Sequence, residues 1–141
     1  MAERDYSGTP LARKLGITDG AVVALLDAPE AFPALLAPLP AGVELRRQAR
    51  GPVDVVVLFA ASRARLRRRF AAAVGAIAAD GGLWVAWPKK AAAVATDLDF
   101  DYVQRLGLDA GLVDNKVAAI DATWTSVRFV VRVADRPAWR A

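Results

Sequence analysis

The sequence contains no cysteine and no histidine. Without them the chain has no thiol nucleophile, no Cys or His metal ligand, no Ser-His-Asp triad and no imidazole acid or base. It also lacks an apolar run of the roughly 20 residues that span a bilayer. Its start, MAERDYSGTP, has no apolar stretch of the kind found in secretory signals. We therefore expect a cytoplasmic protein with no membrane partner.

Glycine-rich phosphate-binding motifs are missing as well. Neither GxGxxG nor GxxxxGK[ST] occurs in the sequence, so the fingerprints of dinucleotide-binding and P-loop proteins are absent. Asp97, Asp99 and Asp101 are the closest approach to a cation site, but they open a predicted helix, where acids are favoured, and no EF-hand spacing follows them. We expect no cofactor and no metal ion.

The sequence contains enough apolar residues for one hydrophobic core. Of its 141 residues, 55% are hydrophobic, which suits a single domain. We expect one domain over residues 1–141, of which residues 1–18 form an N-terminal arm and a short helix. Thr9, Pro10 and Gly16 are typical residues for the beginning and end of that helix, over residues 10–15.

Apolar runs alternate along the chain with helical patterns. Three runs are apolar on both faces, as in strands that helices cover on both sides: residues 21–26 (AVVALL), 53–59 (VDVVVLF) and 83–87 (LWVAW). A shorter, more polar strand is predicted over residues 43–48, and a helix over residues 30–36.

Two longer helices and a hairpin complete the pattern. Ser62 is a favourable N-cap for a helix that we expect to reach the turn at residues 80–82. One apolar stripe marks its buried face: Leu66, Phe70, Ala73 and Ile77. A further helix is predicted over residues 99–110. Strands at residues 116–120 and 127–133 are close enough to pair as a hairpin, with residues 124–126 in the connection.

This order predicts an α/β domain with three layers. The expected architecture is a Rossmann-like, mostly parallel sheet with helices on both faces and a C-terminal antiparallel hairpin. The link at residues 48–53 is short for a parallel return across a sheet. The orientation of the strand at residues 43–48 is therefore left open.

Several segments resemble those of class I methyltransferases with one βα unit missing. ADGGLWVAWPK is similar to the passage into that family's fifth strand, and GLDAGLVDNKVAAID with VRFVVR is similar to its closing hairpin. From residue 15 to residue 131 the chain also resembles a bacterial family of domains of unknown function, through LGI, VDVVVLF, GGLWVAWPKK and an AGL segment before a tryptophan-containing hairpin. The first resemblance implies a methyltransferase-like fold. The second implies a bacterial protein and no particular activity.

The methyltransferase resemblance also implies where S-adenosylmethionine would bind, at the end of the first strand. Asp27 stands where that family has an acid, but Pro29 and Ala31 stand where glycines are expected. The second strand ends in Arg46 and Arg47 in place of an acid. These departures count against ordinary methyl transfer, so a divergent transferase is only an alternative.

Positive charge is concentrated in the middle of the chain. Residues 44–90 hold ten lysines and arginines and three acids, a net charge of +7, whereas the rest of the chain has a net charge of −3. A basic stripe attracts polyanions, but no aromatic residues alternate with the arginines after Ser62, as single-strand binders require. Nucleic acid is therefore not an expected partner, and weak, sequence-blind binding through this helix is a second alternative.

The predicted anion site lies beyond the carboxyl ends of the strands, where open α/β sheets bind ligands. A helix amino end and nearby cationic groups suit a phosphate or carboxylate. The residues expected to bind it are Ser62, Arg63, Trp87, Lys89 and Lys90, and those expected to line the cleft are Asp27, Glu30, Asn115 and Lys116.

Each of these residues also has a purely structural interpretation. Ser62 suits a helix cap, Trp87 suits the core, the two lysines suit a solvated loop, and residues 114–116 suit a turn. The sequence therefore favours a non-catalytic module that binds an anionic small molecule or partner. It leaves the identity of the ligand and the oligomeric state open.

Overall fold

The structure, a computed structural model, describes residues 9–141; the first eight residues of the predicted N-terminal arm lie outside this range. The described chain contains six strands: β1 (Val22–Leu26), β2 (Glu44–Arg46), β3 (Val53–Phe59), β4 (Ile77–Pro88), β5 (Leu112–Ala119) and β6 (Trp124–Val131). It contains four α-helices: α1 (Leu11–Lys14), α2 (Phe32–Leu35), α3 (Arg63–Ala76) and α4 (Phe100–Asp109). Two 3₁₀ helices cover Lys90–Ala92 and Val133–Ala138. No helix within residues 9–141 has the length and apolar character needed to cross a membrane.

The six strands form one sheet in the order β2-β1-β3-β4-β6-β5. The first four strands are parallel, whereas β6 is antiparallel to both β4 and β5. The α/β class and the C-terminal hairpin are confirmed. The expectation of a mostly parallel sheet is wrong, because the hairpin supplies two of the six strands and makes the sheet mixed.

The shortness of β2 resolves the orientation of the second strand. β2 is parallel to β1, with Arg46 opposite Ala24, and Val55 of β3 lies opposite Val23. The chain therefore has to move back only about three residues and across two strand spacings, about 14 Å in all. The six residues 47–52 reach that far when extended. A longer β2 would not leave enough chain for the return.

Both faces of the sheet carry a buried core. Ala24, Leu58 and Val85 belong to a cluster with α3 and α4 on one face, while Leu25, Val57 and Trp84 belong to a cluster with α1 and α2 on the other. The alternation follows from the period of two along a strand. Strands that are apolar at every position are therefore buried on both sides.

Helix α3 ends earlier than its apolar stripe predicts. Leu66, Phe70 and Ala73 are buried on it, but the helix stops at Ala76, and Ile77 is extended and begins β4 opposite Val53. Indole Nε1 of Trp139 donates a hydrogen bond to the Ile77 carbonyl (2.8 Å). The prediction of a helix up to residues 80–82 is wrong, because a β-branched residue with a strand partner favours the sheet.

The hairpin strands are longer than predicted. Trp124 and Thr125 lie in β6, opposite Pro88 and Trp87 of β4, so the predicted connection at residues 124–126 is wrong. The actual turn lies at residues 120–123, where Asp121 Oδ1 accepts hydrogen bonds from the amides of Thr123 and Trp124 (both 2.8 Å). An aspartate that binds its own downstream amides is a common turn former.

Candidate functional site

A pocket opens where the carboxyl ends of β1 and β3 meet. Within the sheet, β2 lies next to β1 on one side and β3 lies next to it on the other. The strand order therefore reverses at β1. Open α/β sheets bind ligands at such positions. The pocket has a volume of about 330 Å³ and is lined by Asp27, Phe59, Ala60, Ala61, Ser62, Arg65 and Trp124.

Aromatic rings form the apolar wall of this pocket. Phe59 makes an edge contact with Phe32, with ring centres 4.8 Å apart, and another with Trp124, with ring centres 5.1 Å apart. Phe59 is only 2% exposed, so the core holds its ring in place. Such edge contacts stabilise a fixed ring geometry, and the wall is therefore formed before any ligand arrives.

Ser62 and Asp97 occupy the amino end of α3. The Ser62 hydroxyl accepts a hydrogen bond from the amide of Arg65 (3.1 Å), which confirms the predicted cap. Asp97 Oδ1 accepts one from the amide of Arg63 (2.8 Å). Two of the amides that a helix end would offer to an anion are therefore already bonded within the protein.

The Arg63 side chain is held by its neighbours. Its Nε donates a hydrogen bond to the Asp97 carbonyl (2.8 Å), and its guanidinium lies 4.3 Å from the centre of the Tyr102 ring. Arg63 is therefore engaged between α3 and the start of α4, and it does not line the pocket.

Arg65 and Arg69 lie on the same face of α3, one turn apart. Arg65 lines the pocket, and no described residue bonds its guanidinium. Nε of Arg69 lies 3.2 Å from Oδ2 of Asp27, the residue that follows β1. That nitrogen is buried and has no aligned hydrogen bond, so the contact is an ion pair. Asp27 is held in the left-handed region, at φ 56°.

The structure does not bring Trp87, Lys89 and Lys90 to the pocket. Trp87 is 6% exposed and belongs to the core under α3 and α4. Lys89 donates its amide to the Thr123 carbonyl (2.8 Å), and Lys90 begins a 3₁₀ helix. Neither lysine is among the lining residues.

The remaining predicted cleft residues are dispersed. Asp27 lines the pocket, whereas Glu30 is exposed in the turn before α2. Asn115 lies at a bulge in β5, the outer strand of the sheet. The neighbouring Lys116 pairs in register with Arg128, and its Nζ donates a hydrogen bond to the Lys14 carbonyl (3.2 Å).

The set of residues expected at the site left out Arg65 and Trp124, which line the pocket, and Arg69, which pairs with Asp27. Arg65 follows Ser62 by three positions and Arg69 follows Arg65 by four, and these spacings place side chains on one helix face, so a helical projection would have selected them. Trp124 had no such signal, because the expected hairpin boundary put it in a loop. Its place beside Phe59 follows from the register of β6 with β4.

The described residues contain no cluster of three or more acidic side chains able to hold a metal ion. The three aspartates singled out in the sequence have separate roles. Asp97 accepts a hydrogen bond from an amide at the start of α3, and Asp99 caps α4 by accepting the amide of Tyr102 (2.8 Å). Asp101 lies in the first turn of α4, where an acid suits the helix dipole.

The pocket departs from the cofactor site that the methyltransferase resemblance implies. Pro29 and Ala31 lie in the turn after β1, where glycines would let a ligand approach the backbone. β2 stops opposite Ala24, two residues short of the end of β1, so none of its side chains reaches the pocket to bind a ribose. Asp27 is already paired with Arg69. These residues do not fit S-adenosylmethionine.

Comparisons with known proteins bear on the fold alone. No family model and no curated protein matches the chain. A solved structure described as LepI in complex with SAM is similar, with a TM-score of 0.51 and 15% sequence identity. The similarity covers 94% of this chain and 50% of that one, so the chain spans about half the length of LepI. The protein therefore has a methyltransferase-like α/β fold.

Proposed function

We propose that the protein is a non-catalytic binding module that recognises a small molecule with a phosphate or carboxylate group. The observation that carries this proposal is the pocket at the strand-order reversal, in which the free guanidinium of Arg65 lies beside an aromatic wall. Arginine binds both anions through two parallel hydrogen bonds. We also place the protein in a bacterial cytoplasm, as expected from the sequence.

The size and polarity of the pocket favour a small, partly apolar ligand. Its volume of about 330 Å³ is at the lower end of the roughly 300–1,000 Å³ of ligand pockets. Ala60 and Ala61 add no functional group, while Trp124 and Phe59 offer apolar contact. We expect a ligand with one anionic group near Arg65 and an apolar part against the rings.

The lining supports binding more than catalysis. Ser62 carries the only hydroxyl among the described lining residues, and that oxygen already accepts the amide of Arg65. Asp27 is the only carboxylate among these residues and is paired with Arg69. No described lining residue is a free base that could activate Ser62 as a nucleophile.

A thermal-shift experiment tests the proposal with orthophosphate, acetyl phosphate, adenosine 5′-monophosphate and citrate as probes. A probe at about 100 times its Kd should add about 2.7 kcal/mol to the free energy of unfolding. Arg65→Ala should weaken that probe at least tenfold, since a charged hydrogen bond contributes about 1.5–3 kcal/mol. Arg68→Ala is the matched control, because Arg68 is exposed on the same helix and does not line the pocket.

Two results would count against the proposal. Equal loss in the Arg65 and Arg68 variants would point to net charge alone, and no stabilisation by any probe would remove the pocket as an anion site. The double variant Lys89→Ala/Lys90→Ala asks whether the neighbouring strand end contributes. If it does, this variant weakens the same probe while the free energy of unfolding changes by less than about 0.5 kcal/mol.

A divergent methyltransferase-like transferase is the second candidate. It is favoured by the similarity in fold to a protein solved with SAM. S-adenosylmethionine is therefore included in the thermal-shift panel and measured by calorimetry. Stabilisation by this compound in preference to all the other probes would reverse the ranking of the two candidates.

A further inference from the structure

A basic depression lies at the link between β2 and β3. It has a volume of about 510 Å³ and is lined by Arg46, Arg47, Gln48, Arg50 and Gly51. Three of its five residues are arginines and none is acidic. It shares no residue with the pocket at the carboxyl ends of the strands.

The central arginine of this depression is held in position. Arg46 Nε donates a hydrogen bond to Glu44 Oε2 (2.6 Å), and its Nη1 donates one to the Arg50 carbonyl (3.0 Å). No described residue bonds its Nη2. The Arg50 amide donates to the Gln48 carbonyl (2.9 Å), so the turn is also closed. The backbone of the link and the Arg46 side chain are therefore ordered before an anion arrives, which lowers the entropy that binding has to lose.

The depression is open because the crossover between two parallel strands contains no helix. Such crossovers usually carry one, but residues 47–52 are only a link. Arg46 lies on the same sheet face as Ala24, its register partner, and Ala24 belongs to the core under α3. Ala49 of the link packs against the same core, so the link runs over the face of the sheet that α3 covers.

The link adjoins the carboxyl end of α3. A Cβ atom on Gly51 would overlap the backbone of Ala76, the last residue of that helix. Arg65 lies eleven residues before Ala76, about 16 Å along the helix axis. The two arginine-rich segments of the sequence, residues 46–50 and 63–69, therefore lie near opposite ends of one helix. We call the surface formed by Arg46, Arg47, Arg50, Arg65 and Arg69 the arginine strip.

We infer that the arginine strip binds the phosphate backbone of nucleic acid without reading its bases. Guanidinium groups suit phosphate oxygens, and contacts of this kind carry no sequence information. The depression has no aromatic residue on which a base could stack.

A protein partner fits the strip less well. Protein interfaces depend on a few apolar or aromatic anchors. Ala24 and Leu26 are fully buried on this face, and the exposed Leu45 lies on the opposite face with its register partner Val23. Around the link the strip therefore offers charge without an apolar anchor, and a sugar-phosphate backbone requires only the charge.

The number of free arginines sets the expected salt dependence. Arg46 and Arg69 have acidic partners, whereas Arg47, Arg50 and Arg65 have none among the described residues. Three neutralised phosphates on duplex DNA give a slope of about −2.7 for log K against log salt. We expect dissociation constants of about 10⁻⁴ to 10⁻⁶ M near physiological salt, as for other sequence-independent binders.

Fluorescence anisotropy with two labelled 20-base-pair duplexes of unrelated sequence tests this inference. Both duplexes should bind equally, with the slope given above. The variant Arg47→Ala/Arg50→Ala should reduce the slope to about −0.9 and weaken binding at low salt. The control variant Arg13→Ala/Arg132→Ala removes the same charge from exposed positions outside the strip, and its slope should stay near that of the wild type.

Several outcomes would overturn the inference. Equal losses in the two double variants would assign binding to net charge, and a preference for one duplex would mean that bases are read. Displacement of the DNA by micromolar pyrophosphate would assign the depression to a small phosphate ligand. Circular dichroism of each variant confirms that a loss of binding is not a loss of fold.

Discussion

Nε of Arg69 lies 3.2 Å from Oδ2 of Asp27, so α3 and the end of β1 are joined by an ion pair at the mouth of the pocket. Asp27 adopts a left-handed backbone conformation at φ 56°. Aspartate and asparagine tolerate that region better than other residues with a side chain. The residue is thus placed both by its backbone and by its charge.

Substitutions at Asp27 should separate these two effects. Asp27→Asn keeps the tolerance of the backbone and removes the charge, so it should cost less than about 1 kcal/mol, as for partly exposed ion pairs. Asp27→Val should cost more, since a β-branched residue is strained at positive φ. Urea unfolding measures both, and equal costs would show that the backbone conformation contributes nothing.

Asp27→Asn should also tighten anion binding in the pocket, a prediction that rests on the proposed function. The change removes a negative charge from the lining and frees Arg69 to join Arg65. We expect affinity for the best anionic probe to rise several-fold, as measured by calorimetry at low salt. Weaker binding would mean that Asp27 itself contacts the ligand.

Two helical glycines should respond to alanine in opposite directions. A Cβ on Gly107 in α4 would overlap the buried ring of Phe129, so Gly107→Ala should destabilise the protein by about 1–3 kcal/mol through overpacking. Gly75 in α3 has nothing within 4 Å of such an atom. Gly75→Ala should therefore stabilise the protein by up to about 1 kcal/mol. Chemical denaturation of both variants checks the signs, and the same sign in both would refute the packing argument.

Removal of a buried indole donor should be costly. Nε1 of Trp84 donates to the Leu15 carbonyl (2.9 Å), and both residues are 0% exposed. Trp84→Phe leaves that carbonyl unpaired, at about 1–3 kcal/mol, and also leaves a void. Trp139→Phe is the comparison, since Trp139 bonds the Ile77 carbonyl but is only partly buried and water can replace it. Equal destabilisation of the two variants would contradict this account.

The guanidinium of Arg128 carries a charge that the folded state disfavours. Burial, and then the nearby charge of Arg136, lower the pKa of Arg128 below its ordinary value. A lowered pKa of a basic group means that the folded state disfavours the charged form. The penalty is therefore present at all pH values below the folded pKa and is relieved only as the pH rises through it. Arginine stays protonated in proteins, so the penalty is present at neutral pH.

Arg128→Met should therefore leave the free energy of unfolding at pH 7 unchanged or raise it. The variant removes the disfavoured charge and keeps an apolar chain of similar length beside Gly82, against which Arg128 packs. Arg68→Met, at an exposed position, should change stability by less than about 0.5 kcal/mol. A clear loss of stability in Arg128→Met alone would show that the guanidinium makes a net favourable interaction.

Much of the fold could be predicted because its signals are local. The runs at β1 and β3, the Ser62 cap and the α4 segment after Asp99 were correctly located, since each depends on residues within one or two turns. The predictions failed where distant partners compete with local pattern. Ile77 continues a helical stripe in the sequence, yet its strand partner Val53 and the indole of Trp139 hold it in the sheet.

The candidate site was less predictable than the fold. The sequence correctly indicated the edge of the sheet at which a pocket forms, because carboxyl ends of parallel strands meet there. It also indicated Asp27 and Ser62 as residues of the site. The lysines at the end of β4 were expected beside them, but whether neighbouring strand ends share one pocket depends on sheet twist and loop path, which composition and spacing do not encode.

The alternation of apolar runs with helical patterns was enough to predict an α/β domain with a closing hairpin, and the lack of cysteine and histidine excluded the chemistry of both residues. The strand register was needed to show that β2 is short enough for a parallel return without a helix. The lack of a helix in this return leaves the arginine strip open. The shortness of β2 keeps its side chains away from the pocket. The physical reason is that periodicity reports on neighbours within a few residues, whereas the pairing of Asp27 with Arg69, 42 positions apart, depends on strand order and register.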